Sequence, residues 1–250
     1  MTEIPAEGIL STVTQQKGPA RQGVWRMFDR IAPRYDLLNR LLSFRQDVRW
    51  RKKLAEFLPE GQSLHLVDLA TGTGDVIITL CRCCPSIVRA TGFDLAGEML
   101  AIGRQKVDRA GLAQQVQLLE GDALRVPLPD CSAEVVTIAF GIRNVEDPLQ
   151  GLREMHRLLK PGGRALVLEF SLPENALLRA IYLFYFRKIL PRIGGLLSGD
   201  SYAYRYLNET VETFPYGQAF ARLMEQAGFV HVAYRPLTLG VATIYCGTKP

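Results

Sequence analysis

The chain has 250 residues, of which 48% are hydrophobic and 22% are charged, as in globular proteins that bury a sizeable core. It has no apolar run of the roughly 18 residues that a membrane-spanning helix needs and no secretory signal pattern, so we expect a cytoplasmic protein. Five cysteines, without two spaced Cys pairs, predict neither a disulfide framework nor a metal site. The net charge of +5 favours an anionic partner, either nucleic acid or a membrane surface.

The N-terminal part of the chain divides into a tail and a helical segment. Residues 1–18 are polar and aperiodic and are predicted to be disordered, whereas residues 19–57 are predicted to be helical with breaks near Pro33 and Ser43. Basic residues gather around Trp50 in this segment, namely Arg40, Arg45, Arg49, Arg51, Lys52 and Lys53. Such a cluster suits nucleic acid, an anionic lipid surface or a helix face exposed to water, and all three remain open.

A short apolar run that ends in Asp68 is followed at once by a glycine-rich turn. The turn consists of Gly72, Thr73 and Gly74. We interpret the run as a buried parallel strand, and the turn as the start of a helix whose bare backbone N–H groups face a ligand. The third glycine of a dinucleotide fingerprint is missing, and Asp75 stands where a diphosphate needs neutral donors. The turn therefore favours S-adenosylmethionine as the ligand. Asp68 is expected to hold the methionine end of this ligand, either directly or through a water molecule. A strand-helix turn that binds no ligand remains the alternative.

Three further predicted strands also end in loops with polar residues or glycine. The second ends in Asp94, a position suited to the hydroxyls of a ribose or to a plain helix cap. The third is followed by Asp122 and Ala123, which can meet the amino group and a ring nitrogen of adenine. The fourth is followed by the loop Phe140–Val145. Because the carboxyl ends of parallel strands line one crevice, the joint spacing predicts one ligand site at that edge.

The remainder of the chain completes one predicted α/β domain, residues 19–250. It is predicted to contain a turn at 161–163, a fifth strand at 164–170, an insertion at 171–214, a helix at 217–227 and strands at 229–235 and 241–247. Within the insertion, residues 177–192 are apolar on nearly all sides and end in cations. This segment is predicted either as a buried helix or as a lid over an apolar substrate.

Three segments of the chain resemble the ubiquinone/menaquinone biosynthesis C-methyltransferases. They are residues 28–43 with the following Trp50, residues 140–145 and residues 157–171. The resemblance extends from Phe28 to the C terminus, and the third segment is shared with many other methyltransferases. Two positions depart from the family pattern. Asp47 replaces a frequent histidine, which leaves the substrate detail open, and Ala139 replaces a frequent serine, which removes one side-chain contact to the cofactor.

The resemblance implies a class I adenosylmethionine-dependent methyltransferase fold. This is a Rossmann-like α/β fold whose mostly parallel seven-stranded sheet has an antiparallel last strand, here with N-terminal helices and a helical lid insertion. The implied cofactor is S-adenosylmethionine, and the expected contacts to it are Asp68, Gly72, Thr73, Gly74, Asp94, Asp122 and Ala123. The implied reaction is methylation of a ring carbon of a polyprenylated quinol, in menaquinone biosynthesis (demethylmenaquinol to menaquinol), in ubiquinone biosynthesis or in both.

Polar groups near the predicted crevice supply the candidate catalytic residues. They are Tyr35, Asp36, Arg143 and Asn144, and the resemblance implicates Arg143 and Tyr35 near the substrate, so we predict Arg143, Tyr35 and Asn144 as catalytic. None of the three histidines follows a predicted strand end, so a histidine base is not expected. Arg143 can stabilise a phenolate without losing its own proton, while water or a positioned carboxylate would take the proton of the ring hydroxyl. A structural ion pair that closes the loop is the alternative role for Arg143.

Other functions fit the sequence less well. The fourth-strand loop lacks the Pro-Pro-aromatic pattern of exocyclic-amine methyltransferases, and no Pro-Cys nucleophile of the cytosine type is present, which disfavours nucleic acid as the substrate. A non-catalytic adenosylmethionine-binding module and an enzyme of the same fold acting on another small apolar molecule remain as alternatives.

The implied substrate also bears on where the protein works. Because a polyprenyl tail does not leave a bilayer freely, we expect reversible contact with the inner face of the membrane. The expected contacts are the Arg45–Lys53 helix and the segment 184–192, where an aromatic insertion is flanked by cations. The oligomeric state is left open, with a homodimer among the options.

Overall fold

The computed structural model describes residues 23–60, 63–192 and 201–250, so the tail predicted at 1–18 lies outside the described residues. The helices are α1 (Trp25–Leu42), α2 (Gln46–Lys53), α3 (Asp75–Cys83), α4 (Gly97–Arg109), α5 (Pro148–Leu158), α6 (Ala176–Phe184), α7 (Ser201–Thr213) and α8 (Gln218–Gln226). The strands are β1 (Leu64–Leu69), β2 (Ile87–Asp94), β3 (Val116–Glu120), β4 (Ala133–Ala139), β5 (Leu159–Phe170), β6 (Val230–Leu237) and β7 (Ala242–Thr248). In this part of the chain, no helix is long and apolar enough to cross a membrane.

The strands form a seven-stranded sheet in the order β3-β2-β1-β4-β5-β7-β6. Neighbouring strands from β3 to β5 pair in parallel, and β7 pairs antiparallel with both β5 and β6. This confirms the predicted sheet with its antiparallel last strand. The strand order reverses at β1, which lies between β2 and β4, so the carboxyl ends of these three strands open into one crevice.

Helices cover both faces of the sheet, and the side chains of β1 alternate between the two layers. Leu66 packs with residues of α3 and α4 on one face, whereas Val67 and Leu69 pack with residues of α5 and α8 on the other. These strand residues are at most 1% exposed, because a parallel strand in the centre of a sheet is buried on both faces. The continuous apolar run of β1 thus reflects its central position.

The N-terminal helices differ from the prediction at one of the two expected breaks. Helix α1 continues through Pro33, so the break predicted there is wrong. Pro33 is exposed while Ala32 and Leu38 are buried, so the hydrogen bond that proline cannot donate is missing on the side that faces water. The break near Ser43 is confirmed, because Phe44 and Arg45 follow with φ values of 51° and 60°, which end the helix.

The turn predicted at 161–163 lies inside β5 and does not precede it. The strand begins at Leu159, and its pairing with β4 shifts register before Arg164. Gly162 has a φ of +78° at this bulge, and a Cβ on Gly163 would lie 2.8 Å from the carbonyl oxygen of Lys160. The prediction of a helix-to-strand connector was therefore wrong, because these glycines bend a strand that has already begun.

The described part of the insertion after β5 is mostly helical but only partly buried. Helix α6 has no buried residue and continues into a π-helical turn at Tyr185–Ile189. Only the end of this segment is buried, where Phe186 and Leu190 pack against Leu38 of α1 and Val211 of α7. The alternative of a fully buried helix is thus wrong for α6.

Replacing Gly103 by alanine is expected to destabilise the protein, because α4 packs closely on the glycine-rich turn. A Cβ at Gly103 would lie 2.7 Å from Leu118 Cδ1 and 3.2 Å from the backbone carbon of Thr73. We expect a loss of about 1–3 kcal/mol in the free energy of unfolding, measured by urea denaturation. Gly97→Ala on the same helix is the matched control, because no atom lies within 4 Å of its added Cβ. Equal stability of the two variants would contradict this account of the packing.

Candidate active site

The carboxylate of Asp68 holds the glycine-rich turn in shape at the end of β1. Its two oxygens accept hydrogen bonds from the hydroxyls of Thr71 (2.6 Å) and Thr137. Asp68 is 1% exposed, and burial raises the pKa of its carboxyl to about 6. Gly72 and Gly74 then adopt φ values of +54° and +75°, which glycine reaches without strain. Asp68 therefore lies beneath the turn, where both of its oxygens are engaged by the protein.

Asp94 connects the turn to the end of β2. The backbone N–H of Gly72 donates to Asp94 Oδ2 (2.7 Å), and that of Ala96 donates to Oδ1 (2.9 Å). Burial raises the pKa of the Asp94 carboxyl, and hydrogen bonds from the backbone oppose this shift. The helix cap considered for Asp94 is not formed, because its side chain bonds the N–H of Ala96, the residue before α4, and no side chain caps that helix. Asp94 faces the crevice.

A first cavity lies at the carboxyl ends of β1 to β4, under the start of α1. Among its lining residues are Gly72, Asp94, Asp122, Ala123, Tyr35 and Asn144. Four of the residues predicted to bind the cofactor thus come together here, with two of the predicted catalytic residues. The other three predicted cofactor contacts, Asp68, Thr73 and Gly74, do not line this cavity. Their roles are in the turn that shapes it.

Thr73 belongs to a network that fastens α1 to the turn. Its hydroxyl donates to Asp36 Oδ1 (2.7 Å), while Lys106 of α4 donates to Asp36 Oδ2 (2.6 Å) and also to Asp75. Although burial opposes the shift, the charges of Arg51 and Lys106 lower the pKa of the Asp75 carboxyl. Asp36, which the sequence suggested as a free polar group near the crevice, is therefore engaged in an ion pair.

The basic cluster around Trp50 is partly internal. Trp50 is buried and donates through Nε1 to Thr238 Oγ1 (2.8 Å). Arg51 is 6% exposed and pairs with Asp47 at 2.6 Å. Arg49 and the lysines at the end of α2 are the residues of this helix that remain on the surface. The cations of α2 therefore do not form a continuous exposed face, because Trp50 and Arg51 are buried against the rest of the protein.

A second cavity adjoins the first and is largely aromatic. The two cavities share Phe28, Tyr35 and Phe140 in their linings. The ring centroids of Phe140 and Phe170 are 4.6 Å apart, and that of Trp50 lies 6.0 Å from Phe140. Such a chamber suits a flat apolar ring beside a polar cofactor site.

Arg143 brings a buried positive charge to the second cavity. It lies in the 3₁₀ turn Ile142–Asn144 after β4, and its Nη1 donates to Glu169 Oε1 (2.7 Å) and to the carbonyl oxygen of Phe140 (2.6 Å). Burial raises the pKa of the Glu169 carboxyl, and the charge of Arg143 opposes this shift. The ion pair considered for Arg143 is therefore present, and Arg143 also lines the second cavity. Its buried Nε has no hydrogen-bond partner among the described residues.

Tyr35, which lines both cavities, and Asn144, which lines the first, bring further polar groups to the site. Asn144 Nδ2 donates to the carbonyl oxygen of Phe140 (3.3 Å), whereas its buried Oδ1 has no partner among the described residues. Burial raises the pKa of the Tyr35 phenol, and a hydrogen bond with Asn39 opposes this shift. At neutral pH the Tyr35 hydroxyl therefore keeps its proton and can donate it in a hydrogen bond.

Comparison with known proteins shows the family of the chain. A model of the ubiE/COQ5 methyltransferase family matches residues 13–249. The chain belongs to this family. It is 47% identical over 229 residues to a protein of Geotalea daltonii named ubiquinone/menaquinone biosynthesis C-methyltransferase UbiE, with 90% of this chain and 96% of that protein covered. It is also 48% identical over 224 residues to a demethylmenaquinone methyltransferase of Thermus thermophilus, with 90% of this chain and 100% of that protein covered.

Solved structures with low sequence identity share the fold. A SAM-dependent methyltransferase of Thermotoga maritima, described as a possible histamine N-methyltransferase, superposes with a TM-score of 0.64 at 20% identity and covers 91% of this chain and 100% of its own. A SAM-dependent methyltransferase of Aquifex aeolicus gives a TM-score of 0.57 at 20% identity, with 80% and 89% covered. The class I methyltransferase fold expected for this member of the family is confirmed.

Several residues of the site were not predicted. Glu169 is the partner of Arg143, and Lys106 fastens α1 to the turn. An acid at the carboxyl end of the fifth strand was a usable signal for Glu169, because it repeats the pattern of the earlier strands. Nothing in the sequence marked Lys106, which lies in the last turn of an ordinary amphipathic helix. In the described segments, no group of three or more His, Cys, Asp or Glu residues is placed to hold a metal ion.

Asp68→Asn is expected to remove one pH-dependent contribution to the stability of the ligand-free protein. Burial raises the pKa of the folded-state carboxyl from 3.8 to about 6, so the folded protein binds more protons between these values. Stability therefore falls as pH rises from about 4 to about 6 and then levels off, by about 3 kcal/mol from this group. An asparagine can still bond both threonine hydroxyls, because a hydroxyl both donates and accepts.

The measurement is the free energy of unfolding of both proteins by urea denaturation across this pH range. The difference between the two curves isolates Asp68 from the other titrating groups. Curves that run parallel would show that the Asp68 carboxyl titrates normally in the folded protein.

Proposed function

We propose that this chain methylates a ring carbon of a polyprenylated quinol with S-adenosylmethionine as the methyl donor, in menaquinone biosynthesis (demethylmenaquinol to menaquinol), in ubiquinone biosynthesis or in both. The observation that supports this best is the junction of two unlike cavities at Tyr35 and Phe140. One is lined by carboxylates and glycines at strand ends, and the other by aromatic and aliphatic side chains with two buried arginines, Arg51 and Arg143. Two substrates of different polarity can thus meet at the shared residues.

The first cavity fits S-adenosylmethionine in the character of its residues. Asp94 can accept hydrogen bonds from ribose hydroxyls, because each of its oxygens has a second lone pair beside the one that accepts from a backbone N–H group. Asp122 and the backbone of Ala123, at the end of β3, suit the amino group and a ring nitrogen of adenine. Gly72 allows close approach to the turn, since no atom lies within 4 Å of a Cβ placed there. When bound, the cofactor supplies an electrophilic methyl group on a sulfonium.

Asp68, Thr73 and Gly74 contribute to this site by shaping the turn. Asp68 acts through Thr71, whose hydroxyl donates a hydrogen bond to its carboxylate. Thr73 acts through the hydrogen bond that its hydroxyl donates to Asp36 on α1. We therefore assign them positioning roles and assign the contacts to Gly72, Asp94, Asp122 and Ala123.

The second cavity favours the ionised form of a quinol. A ring carbon becomes strongly nucleophilic once a neighbouring hydroxyl loses its proton, and a fixed cation in an apolar chamber lowers the pKa of that hydroxyl. Arg143 supplies the cation and cannot itself accept the proton. Asn144 Oδ1 is a buried acceptor without a partner among the described residues, and the protonated Tyr35 hydroxyl is a donor in the lining of the same cavity. These two groups suit a water molecule that carries the proton away.

The tail of such a quinol resides in the bilayer, so we propose that the protein works at the inner face of the membrane. Arg45, Arg49 and Lys52 are exposed and can approach anionic headgroups, whereas Arg51 is buried in its ion pair. The contribution expected from the Arg45–Lys53 helix is therefore limited to its exposed cations.

Asp94→Ala is expected to weaken S-adenosylmethionine binding at least tenfold in calorimetry. The variant loses charge-assisted hydrogen bonds to the ribose, which are worth about 1.5–3 kcal/mol. Asp108→Ala is the matched control, because Asp108 is an exposed acid at the far end of α4. An unchanged affinity in a folded Asp94→Ala protein would remove the ribose contact from the proposal.

Arg143→Ala is expected to lose most of the turnover while S-adenosylmethionine still binds. It also leaves Glu169 as a buried unpaired charge, so we expect a loss of about 3–5 kcal/mol in stability. The double variant Arg143→Gln/Glu169→Gln removes both charges and should recover stability without recovering turnover. Arg143→Lys should recover turnover only in part, since an ammonium cannot replace the planar fork.

The assay is the kcat of methylation of a water-soluble quinol with a short tail, beside calorimetry with S-adenosylmethionine. The double variant separates the two roles of Arg143. If it methylates the quinol at a rate near wild type, Arg143 serves only to close the loop after β4, and the cation is not part of the chemistry.

A further inference from the structure

Helix α6 presents apolar side chains to water. None of its residues is buried, and Leu177, Ile181 and Phe184 are 69%, 58% and 62% exposed. They are spaced i, i+4 and i+7, so they lie on one face of the helix. In a helix of a globular protein this stripe normally faces the core. Here the stripe faces outwards.

The end of α1 repeats this pattern. Leu37 and Leu41 are 68% and 51% exposed and lie one turn apart on one face of α1, and Phe44, which follows the end of the helix, is 76% exposed. The intervening Leu38 is 4% exposed and points inwards, where it lines the second cavity together with Asn39 of the same turn. The last turns of α1 thus have one face towards the proposed quinol site and one apolar face towards the outside.

The two stripes adjoin. The rings of Phe44 and Tyr185 lie 6.3 Å apart, and the Tyr185 hydroxyl donates to the carbonyl oxygen of Leu42 (3.1 Å). The end of α1 and the end of α6 are therefore neighbours. We call the side chains of Leu37, Leu41, Phe44, Leu177, Ile181 and Phe184 the apolar surface. Large apolar side chains grouped in this way mark an interaction site, whereas single exposed ones do not.

Most of the charged residues near the apolar surface are positive, although the exposed Glu174 lies just before α6. Residues 37–45 and 176–192 contain no Asp or Glu, whereas they contain Arg40, Arg45, Arg179, Arg187, Lys188 and Arg192. Arg187 is paired with Glu212, and Arg40 approaches Asp75. Arg45, Lys188 and Arg192 are exposed, and within the described residues none of them forms an ion pair. An apolar centre with a cationic rim is complementary to an anionic lipid bilayer.

We propose that the apolar surface inserts into the headgroup region of an anionic membrane and holds the second cavity at the bilayer. The reason for membrane binding rests on the proposed quinol substrate, whereas the apolar surface is defined by the exposure and charge of its residues. This mode of binding differs from electrostatic attraction of the basic residues of α2 to anionic lipid, because the apolar side chains provide the larger part of the binding free energy. Part of the binding therefore persists when salt screens the cations.

The experiment measures how the full chain partitions onto phosphatidylcholine vesicles with and without phosphatidylglycerol, by co-sedimentation at low salt and at about 1 M salt. The variants are Ile181→Glu/Phe184→Glu on α6 and Leu41→Glu on α1. Val88→Glu is the matched control, because Val88 is 55% exposed and lies near the start of β2, away from the carboxyl edge of the sheet. None of these residues is placed in the reaction chemistry.

We expect the α6 variant to partition onto phosphatidylglycerol vesicles at least tenfold more weakly than wild type, with Leu41→Glu weakened as well and Val88→Glu unchanged. The proposal is overturned if the variants bind like wild type, if about 1 M salt abolishes all binding of the wild-type protein, or if that protein does not bind vesicles at low salt. It is also overturned if the wild-type protein is a homodimer that the variants dissociate, since the apolar surface would then join two copies.

Turnover of a short-tail, water-soluble quinol separates this inference from the proposed function. All variants should methylate that quinol at the wild-type rate, because it does not depend on a bilayer. Absence of turnover in every protein, the wild type included, would overturn the quinol reaction while the vesicle measurement still decides the surface.

Discussion

The placement of β1 between two parallel neighbours is the constraint on which the site depends. Because the strand order reverses there, the helices that follow β1 and β2 cover one face of the sheet and α5 covers the other. The loops after β1, β2 and β4 consequently diverge and leave a crevice between them. The hydrogen bond from Gly72 to Asp94 crosses this crevice and ties the first loop to the second strand. The other contacts of the site form around the turn after β1 and the end of β2, which this hydrogen bond joins.

Helix α1 converts this crevice into two connected chambers. It carries Tyr35, which borders both cavities, and Asp36, which Lys106 binds at the base of the glycine-rich turn. The ion pair of Arg143 with Glu169 then brings a charge into the aromatic chamber. A buried pair of this kind is expensive to assemble, and a purely structural loop closure would be served as well by apolar residues. The proposed phenolate chemistry of the chamber would give that charge a use.

The sequence predicted the parts of this protein that depend on near neighbours along the chain. The strands that end at Asp94 and Glu120, and the glycine-rich turn, were placed correctly because apolar runs and glycines act locally. Partners distant in sequence could not be predicted. Asp68 is held by Thr137, and Thr73 by Asp36, across separations that only the sheet order and α1 bring together. The break expected at Pro33 failed for a related reason, since packing on one side of α1 outweighed a local preference.

The backbone at Phe140 is strained at a position that shapes the site, so this residue lowers the stability of the fold. Its φ of 55° lies in a region where a side chain other than glycine costs about 1–2 kcal/mol. That conformation directs its carbonyl oxygen to Arg143 and Asn144, while its ring forms a wall common to both chambers. A glycine would relieve the strain and still accept both hydrogen bonds, but it would remove the ring that lines both cavities. A substitution chosen only to relieve backbone strain would therefore merge the two chambers at this wall.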